Sequence, residues 1–200
     1  MTKIPLTRRP APVEIAAAIR RQMRRAAPPS GRLADLADAA AFHRLIADPA
    51  VSAPIYTLPK PATLAAARDF IAAHIDERRR GEGLLTLDFD GDASVAGYKD
   101  IRVWPEWSAA EVGGAVRPDR QGQGAGAAGA AAVFEWLFST IGVDLICETA
   151  ALDNLRTHKL LDHLGFRRLG EIDSELATGG VRRSLYWEMT RAEWEERRRR

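Results

Sequence analysis

The segment from Val116 to Gly129 reads Val-Arg-Pro-Asp-Arg-Gln-Gly-Gln-Gly-Ala-Gly-Ala-Ala-Gly and stands between two apolar strands. Residues 110–116 form the strand before it. After it come a long helix to about Thr140, then Gly142 and the apolar run 143–149. Strand, glycine-rich loop, helix, strand is a crossover that returns parallel to its start, which confines this half of the chain to an α/β arrangement. Upstream the period is two: Leu85, Leu87 and Phe89 alternate before Asp90-Gly91-Asp92, a hairpin signal, and Val95, Gly97, Ile101 and Val103 continue the strand pattern. Trp104-Pro105-Glu106-Trp107 breaks the run, so these strands form an antiparallel meander and the sheet is mixed.

Three helices are expected before the sheet. Residues 12–27 set Val13, Ile15, Ile19 and Met23 against Arg20, Arg21, Arg24 and Arg25, and end at Pro28-Pro29-Ser30-Gly31; the arginines read as a solvated face or as a partner surface. A second helix spans about 33–47 and stops at Asp48-Pro49. A third takes Thr63 as N-cap, places Leu64, Ala67, Ile71 and Ile75 on one stripe, and is halted by Gly81 and Gly83. Beyond the crossover, Asp153-Asn154 opens a helix to Leu164 that Gly165 closes, and strands near 166–172 and 181–189 finish the sheet. The tail 194–200 is a charge run and reads as solvated or disordered.

Two hundred residues suffice for one core, and 46% apolar with 28% charged excludes a wholly disordered or fibrous chain. Twenty-nine Lys and Arg against 27 Asp and Glu leave +2, too small an excess to imply nucleic acid. The single cysteine, Cys147, excludes an internal disulfide or a multi-cysteine zinc site; beside Leu145 and Ile146 it reads as an inert core thiol of a cytoplasmic protein. No apolar run approaches the roughly 20 residues of a membrane helix, and the first five residues lack a signal peptide's apolar segment, so no membrane is expected. His43, His74, His158 and His163 show no metal spacing, and no metal is expected.

Two phosphate-binding patterns fit parts of the glycine-rich stretch. Gly124, Gly126 and Gly129 satisfy G-x-G-x-x-G, with Glu148 near the end of the next strand, as in a dinucleotide-binding fold. Against that, Val116 ends its strand well before Gly124, the upstream strands form a meander, and only 52 residues follow Glu148. A P-loop lacks its Gly-Lys-Ser/Thr here. In any setting, successive N–H groups leading into a helix suit a pyrophosphate, and glycines at 122, 124 and 126 leave no side chain in between. Arg117, Arg120 and Gln121 either reach phosphate oxygens or stand in solvent. An alanine-rich helix with a flexible start is the plainer reading, but it leaves the alternating glycines unexplained.

Taken whole, residues 116–126 resemble the acetyl-CoA-binding motif of the GNAT N-acetyltransferases, Gln/Arg-x-x-Gly-x-Gly/Ala, carried here by Gln121, Gly124 and Gly126. Asn154, Thr157 and Gly165-Phe166 resemble the family's Asn-x-x-Ser/Ala and Leu-Gly-Phe pattern, in order and at matching spacing. The resemblance covers roughly 33–192, including Asp48-Pro49-Ala50-Val51 and Met189-Thr190-Arg191-Ala192-Glu193-Trp194, and its outline is similar to the branch acetylating ribosomal-protein N-termini (RimJ/RimL type). It implies an α/β, GNAT-type acyl-CoA N-acyltransferase fold with a mixed, mostly antiparallel sheet flanked by helices. A basic helical extension over 1–30, the N-acetyltransferase domain over 31–192 and a charged tail over 193–200 follow from it. It further implies acetyl-CoA as cosubstrate between the two central strands, held by Val116, Arg117, Gln121, Gly122, Gln123, Gly124, Ala125 and Gly126 with Asn154 and Thr157. Asn154 serves equally as a plain N-cap.

In this family the strand before the glycine loop carries a bulge and splays from the next, and residues 111–116 with adjacent Gly113 and Gly114 suit such a strand. The implied reaction is direct: a neutral amine attacks the thioester carbonyl, a backbone N–H of this strand steadies the oxyanion, and CoA leaves as a thiol. Glu111 is the first candidate for the base and Glu148 the second; each reads equally as a surface or salt-bridge residue. Many family members place a tyrosine seven residues after the asparagine as the acid, and here that position is Leu161. The acceptor is a primary amine, on a protein N-terminus or a small molecule such as an antibiotic. Trp104 and Trp107 line its cleft or simply pack. The 12–27 helix covers that cleft, forms a homodimer contact, or is the family's first helix with the next one inserted. Two other functions stay open, an acyl-CoA-binding regulatory module without catalysis and a nicotinamide-dependent oxidoreductase.

Overall fold

Apolar alternation in seven segments builds one sheet: β1 (Arg32–Leu33), β2 (Gly83–Phe89), β3 (Val95–Trp104), β4 (Ala109–Val116), β5 (Leu145–Ala151), β6 (Arg167–Glu175) and β7 (Val181–Thr190). The computed structural model describes residues 4–91, 93–121, 125–175 and 179–199. Across the sheet the order is β1-β2-β3-β4-β5-β7-β6, and every pairing is antiparallel except β4 with β5. The mixed, mostly antiparallel sheet is therefore present. A doubly wound parallel sheet, which the oxidoreductase reading requires, is not.

Among the described residues seven helices flank it: α1 (Val13–Arg25), α2 (Ala39–Ile46), α3 (Pro49–Ser52), α4 (Leu64–Arg80), α5 (Ala125–Trp136), α6 (Leu155–Leu164) and α7 (Arg191–Arg199). Their limits follow from side-chain chemistry. Thr63 Oγ1 accepts from the Ala66 N–H at 3.1 Å to start α4, and Gly81 ends it at φ 77°, pressed so closely on the Arg20 backbone that no β-carbon fits. Asn154 Oδ1 accepts from the Thr157 N–H at 3.2 Å and starts α6. None of these helices is long and apolar enough to cross a membrane.

Ile19 and Met23 of α1, Val133, Phe134 and Leu137 from α5 and its last turn, and Leu161 of α6 pack on one face against Ile101, Val103, Ala110, Ile146 and Trp187. On the other face, Phe42, Ile46, Ala67 and Ile71 of α2 and α4 cover Leu85, Leu87 and Tyr98. A smaller cluster on that face joins Cys147, Ile172 and Tyr186 with Ile4 and Trp104. The N-terminal residues lie beside it because the buried Glu188 carboxylate accepts from the N–H groups of Leu6 and Thr7, at 2.8 and 3.0 Å, and from the Tyr186 hydroxyl. Trp107 packs under the Arg8 guanidinium.

Three expectations need correction. The sheet begins before the second helix: Arg32–Leu33 pairs with β2, and the expected 33–47 helix starts only after a tight 3-10 turn at Leu36–Asp38. Asp35 caps that turn, and Arg32 holds the Asp38 carboxylate at 2.7 and 2.5 Å. No bulge interrupts β4, which keeps one register on β3 from Trp104↔Ala109 to Gly97↔Val116. Its glycines serve strand contact instead, since a β-carbon on Gly114 would stand 2.5 Å from the Tyr98 carbonyl oxygen. The charged tail is helical as far as described and docked: Trp194 is 7% exposed, packs near Phe134 and Phe138, and donates from Nε1 to Glu135 at 2.7 Å.

Trp194→Ala removes that anchor and leaves Glu135 with Arg198 as its partner. Its expected cost is about 3 kcal/mol, visible as a lower urea midpoint with unchanged m-value; a solvated tail would give no shift.

Candidate active site

β4 and β5 touch over two residue pairs only, Ala109↔Leu145 and Ala110↔Ile146. Below that contact sits a dense set of hydrogen bonds. Ser108, buried and held at φ 46°, accepts at its carbonyl from Asp144 N–H (2.7 Å) and Leu145 N–H (3.1 Å), and its hydroxyl donates to the Asp144 carboxylate at 2.9 Å. Arg191 adds an ion pair to Asp144 and a bond to the Val143 carbonyl. Above the contact the strands part.

The edge of β4 that faces the gap follows from ladder alternation. Arg117 N–H donates to Ala96 O, so odd-numbered residues bond to β3 and the even-numbered ones, Val112, Gly114 and Val116, turn toward β5. The Val112 N–H is met by the Glu148 carboxylate at 3.0 Å. Along the chain, β4 leads through residues 117–121 to the start of α5 at Ala125. Among the described residues, nothing beyond their own helix lies within 4 Å of where a β-carbon would stand on Gly126 or Gly129. Gap-facing main chain, open space and a helix start together fit an extended thiol arm and its diphosphate.

The other expected cosubstrate ligands fall into three groups. Gly122, Gln123 and Gly124 lie outside the described residues, and Ala125 begins α5. Arg117 is engaged within the protein, donating to Asp90 (2.7 Å), Asp119 (2.6 Å) and Ser94 (2.8 Å). Gln121 donates to the Val116 carbonyl at 2.7 Å and accepts from Arg156. Asn154 and Thr157 meet at the start of α6, which Arg156 joins to the loop. Leu161 is buried in the core and carries no proton to give. Cys147 is buried too, and burial pushes its thiol well above the ordinary range.

Glu111 and Glu148 stand on the facing strands, and the charge of Glu111 acts on Glu148. Glu148 is 5% exposed; burial first, then the Glu111 charge, raises its carboxyl well above the usual range, with the Val112 N–H opposing. Burial likewise pushes Glu111 up to about 7, while Arg102 and the Thr149 hydroxyl pull it back. Burial thus favours the neutral form of both carboxyls, and at Glu111 the Arg102 charge and the Thr149 hydroxyl work against it.

Sequence reasoning missed the partners of Glu111. Thr149 Oγ1 donates to its Oε1 at 3.1 Å, and Tyr56, from the loop between α3 and α4, lies 2.7 Å from the same threonine oxygen. Burial raises the Tyr56 hydroxyl to about 12, so it stays protonated and donates into this chain. The Arg182 guanidinium stacks 4.3 Å over the Tyr56 ring, with its Nε buried and unpartnered. Only the alternation of β5, which puts Thr149 on the face of Glu111, signalled any of this. Among the described residues no group of three or more His, Cys, Asp or Glu is placed to hold a metal ion.

Residues 32–167 match the acetyltransferase (GNAT) domain family. No curated protein sequence matches the chain. Among solved structures it is similar to ribosomal-protein-S5-alanine acetyltransferase from Vibrio fischeri, with 16% identity, 82% of this chain and 93% of that one covered, and a TM-score of 0.69. RimJ from Mycobacterium smegmatis, in complex with CoA-disulfide, aligns at 22% identity over 84% of this chain and 86% of its own, with a TM-score of 0.67. A chimeric spermidine N-acetyltransferase from Vibrio cholerae aligns at 16% identity, 82% and 96% coverage, and a TM-score of 0.67. At these identities the likeness is one of fold.

Thr149→Val tests the electrostatic reading. The hydroxyl stabilises the ionised Glu111, so its loss moves the midpoint upward from about 7. A carboxyl-carbon NMR titration of Glu111 reads that shift; an unchanged or lower midpoint contradicts the assigned contact.

Proposed function

Because the chain belongs to the acetyltransferase (GNAT) family, we propose that it moves an acetyl group from acetyl-CoA to a primary amine by direct attack in a ternary complex, with Glu111 as the base. The observation that carries this is the placement of Glu111 beside the β4–β5 gap, where the Thr149 hydroxyl donates to it at 3.1 Å and burial pushes it up to about 7, while Glu148 on the facing strand is engaged by the Val112 N–H at 3.0 Å. An ionised Glu111 takes the ammonium proton, directly or through water. The neutral Glu148 fixes the Val112 N–H and does not compete for that proton. With Ala110 joined to β5 and Val112 bonded to Glu148, Gly114 supplies the next main-chain N–H facing the gap, and we assign it the developing negative charge on the thioester oxygen.

A base titrating near 7 favours an α-amine. At pH 7 about a tenth of an α-amine is already neutral, against less than a thousandth of lysine. The acceptor proposed first is therefore a protein N-terminus, in the manner of the branch that acetylates ribosomal proteins, with α-amines of small molecules second. The likeness to the Vibrio fischeri and Mycobacterium smegmatis enzymes supports this branch, and the absence of a tyrosine at position 161 agrees with it. A reducing cytoplasm, suggested by the single buried cysteine, is part of the same reading.

Two measurements test this. With an α-amine acceptor, kcat/KM should rise with pH along a limb near 7 that belongs to Glu111, because the base works only when ionised. Glu111→Gln should lose that limb and about a hundredfold or more in rate. Glu148→Gln keeps an acceptor for the Val112 N–H and should stay within about tenfold of the parent; the opposite ranking reverses the two roles. For the cosubstrate, Gly126→Val should fold with little change in Tm, since its side chain enters open space, yet bind CoA about tenfold more weakly in a calorimetric titration. Undiminished CoA affinity removes α5 from the site.

A further inference from the structure

Away from the β4–β5 gap, a cavity of about 510 Å³ opens where α1, α4 and the first two strands meet. Ile75, Leu84 and Leu85 give it apolar walls, and Arg24, Arg78 and Arg79 give it positive charge. Its volume is that of a small-molecule site.

Most of the charged groups there are already answered. Arg79 pairs with Asp76 at 2.8 Å, and His74 Nε2 bonds to Asp100 at 2.9 Å. Asp35, the carboxylate in the lining, accepts from the Ala37 N–H as the cap of its turn. Arg78 differs. Its Nη2 donates to the Ala26 carbonyl at 3.0 Å, but its Nη1 is buried with no partner, and among the described residues no carboxylate lies within ion-pair distance of it. Burial alone acts on its charge, lowering its pKa with no anion to counter it. An unanswered buried guanidinium is costly, and a carboxylate presents the two oxygens its planar fork is shaped to meet.

We propose that this cavity binds a small organic monocarboxylate, its acid group on Arg78 and an aryl or branched alkyl body against Ile75, Leu84 and Leu85. Arg79 is paired with Asp76, Arg24 turns its Nη1 to the Arg80 carbonyl at 3.4 Å, and Asp35 adds a negative charge to the lining, so the nitrogen left unbonded on Arg78 suits one negative charge rather than a phosphate dianion. The site lies two strands away from β4 and does not depend on the acetyl-transfer reading.

The test titrates the wild-type protein with benzoate and 4-methylpentanoate, following the methyl NMR signals of Ile75, Leu84 and Leu85. Both acids should shift these signals to saturation and leave Ile146 unmoved. Benzamide, which keeps the ring and lacks the charge, should bind at least about tenfold more weakly, a difference of one decade in Kd. Arg78→Met should abolish the response. Silence of the three methyl groups, equal binding of benzamide, equal response to inorganic phosphate, or full affinity in Arg78→Met each overturns the proposal. Should Arg78→Met fail to fold, the comparison of benzoate with benzamide on the wild-type chain decides alone.

Discussion

Ala109 and Ala110 lie against Leu145 and Ile146, and beyond that contact the one parallel pair of strands among the described residues separates. The contact is short because both of its ends are set by other groups. At the lower end, the left-handed conformation of Ser108 turns its carbonyl to receive two N–H groups of the incoming β5, and Arg191 braces Asp144 from β7's side. A non-glycine residue in that region is strained, and the hydrogen bonds around it offset the strain. At the upper end, continued pairing would give the Val112 N–H a β5 carbonyl. It receives the Glu148 side chain instead. The gap stays open while this donor remains satisfied, which a simple divergence of strands would not achieve.

The same solution sets the proton chemistry. Placing one carboxylate on the Val112 N–H buries it, and the neighbouring Glu111 makes a second ionisation in that space unfavourable. Burial favours the neutral form at both. The Tyr56–Thr149 chain breaks the tie, because its hydroxyl hydrogen points at Glu111 and favours the anion there. Structure and acid–base behaviour are thus consequences of one arrangement of strands.

Much of that arrangement was legible in the sequence, and what was not has physical reasons. The hairpin, the caps at Thr63 and Asn154, the glycine-rich crossover and the two glutamates are local signals, carried by residues within a few positions of each other. Tyr56 sits in an aperiodic loop and reaches Thr149 across 93 positions, a contact that no local pattern encodes. Trp194 was hidden by the arginines and glutamates around it, since one aromatic every two turns is enough to dock a helix whose other side chains remain in water. The expected bulge failed for a different reason: paired glycines permit either a bulge or a close approach of backbones, and the Tyr98 carbonyl decides for the second.

Helix α5 couples the two ends of the gap. Its start follows β4 after a loop whose near end is tied down by Arg117 on Asp90 and by Gln121 between Val116 and Arg156. Twelve residues later, about 18 Å at 1.5 Å per residue, its end widens into a π turn at Leu137–Ile141 and delivers the chain through Gly142 to Asp144 at the base. Any shift of the helix along its axis would therefore act on mouth and base together. Arginine is the residue at both fixed points because its fork binds two oxygens at once: Arg117 holds Asp119 with two nitrogens, and Arg191 spans Asp144 and the Val143 carbonyl. Lysine, a single point of charge on a flexible stem, would keep the sign at either place and lose the angle, so the depth of the gap is specified by guanidinium geometry as much as by strand pairing.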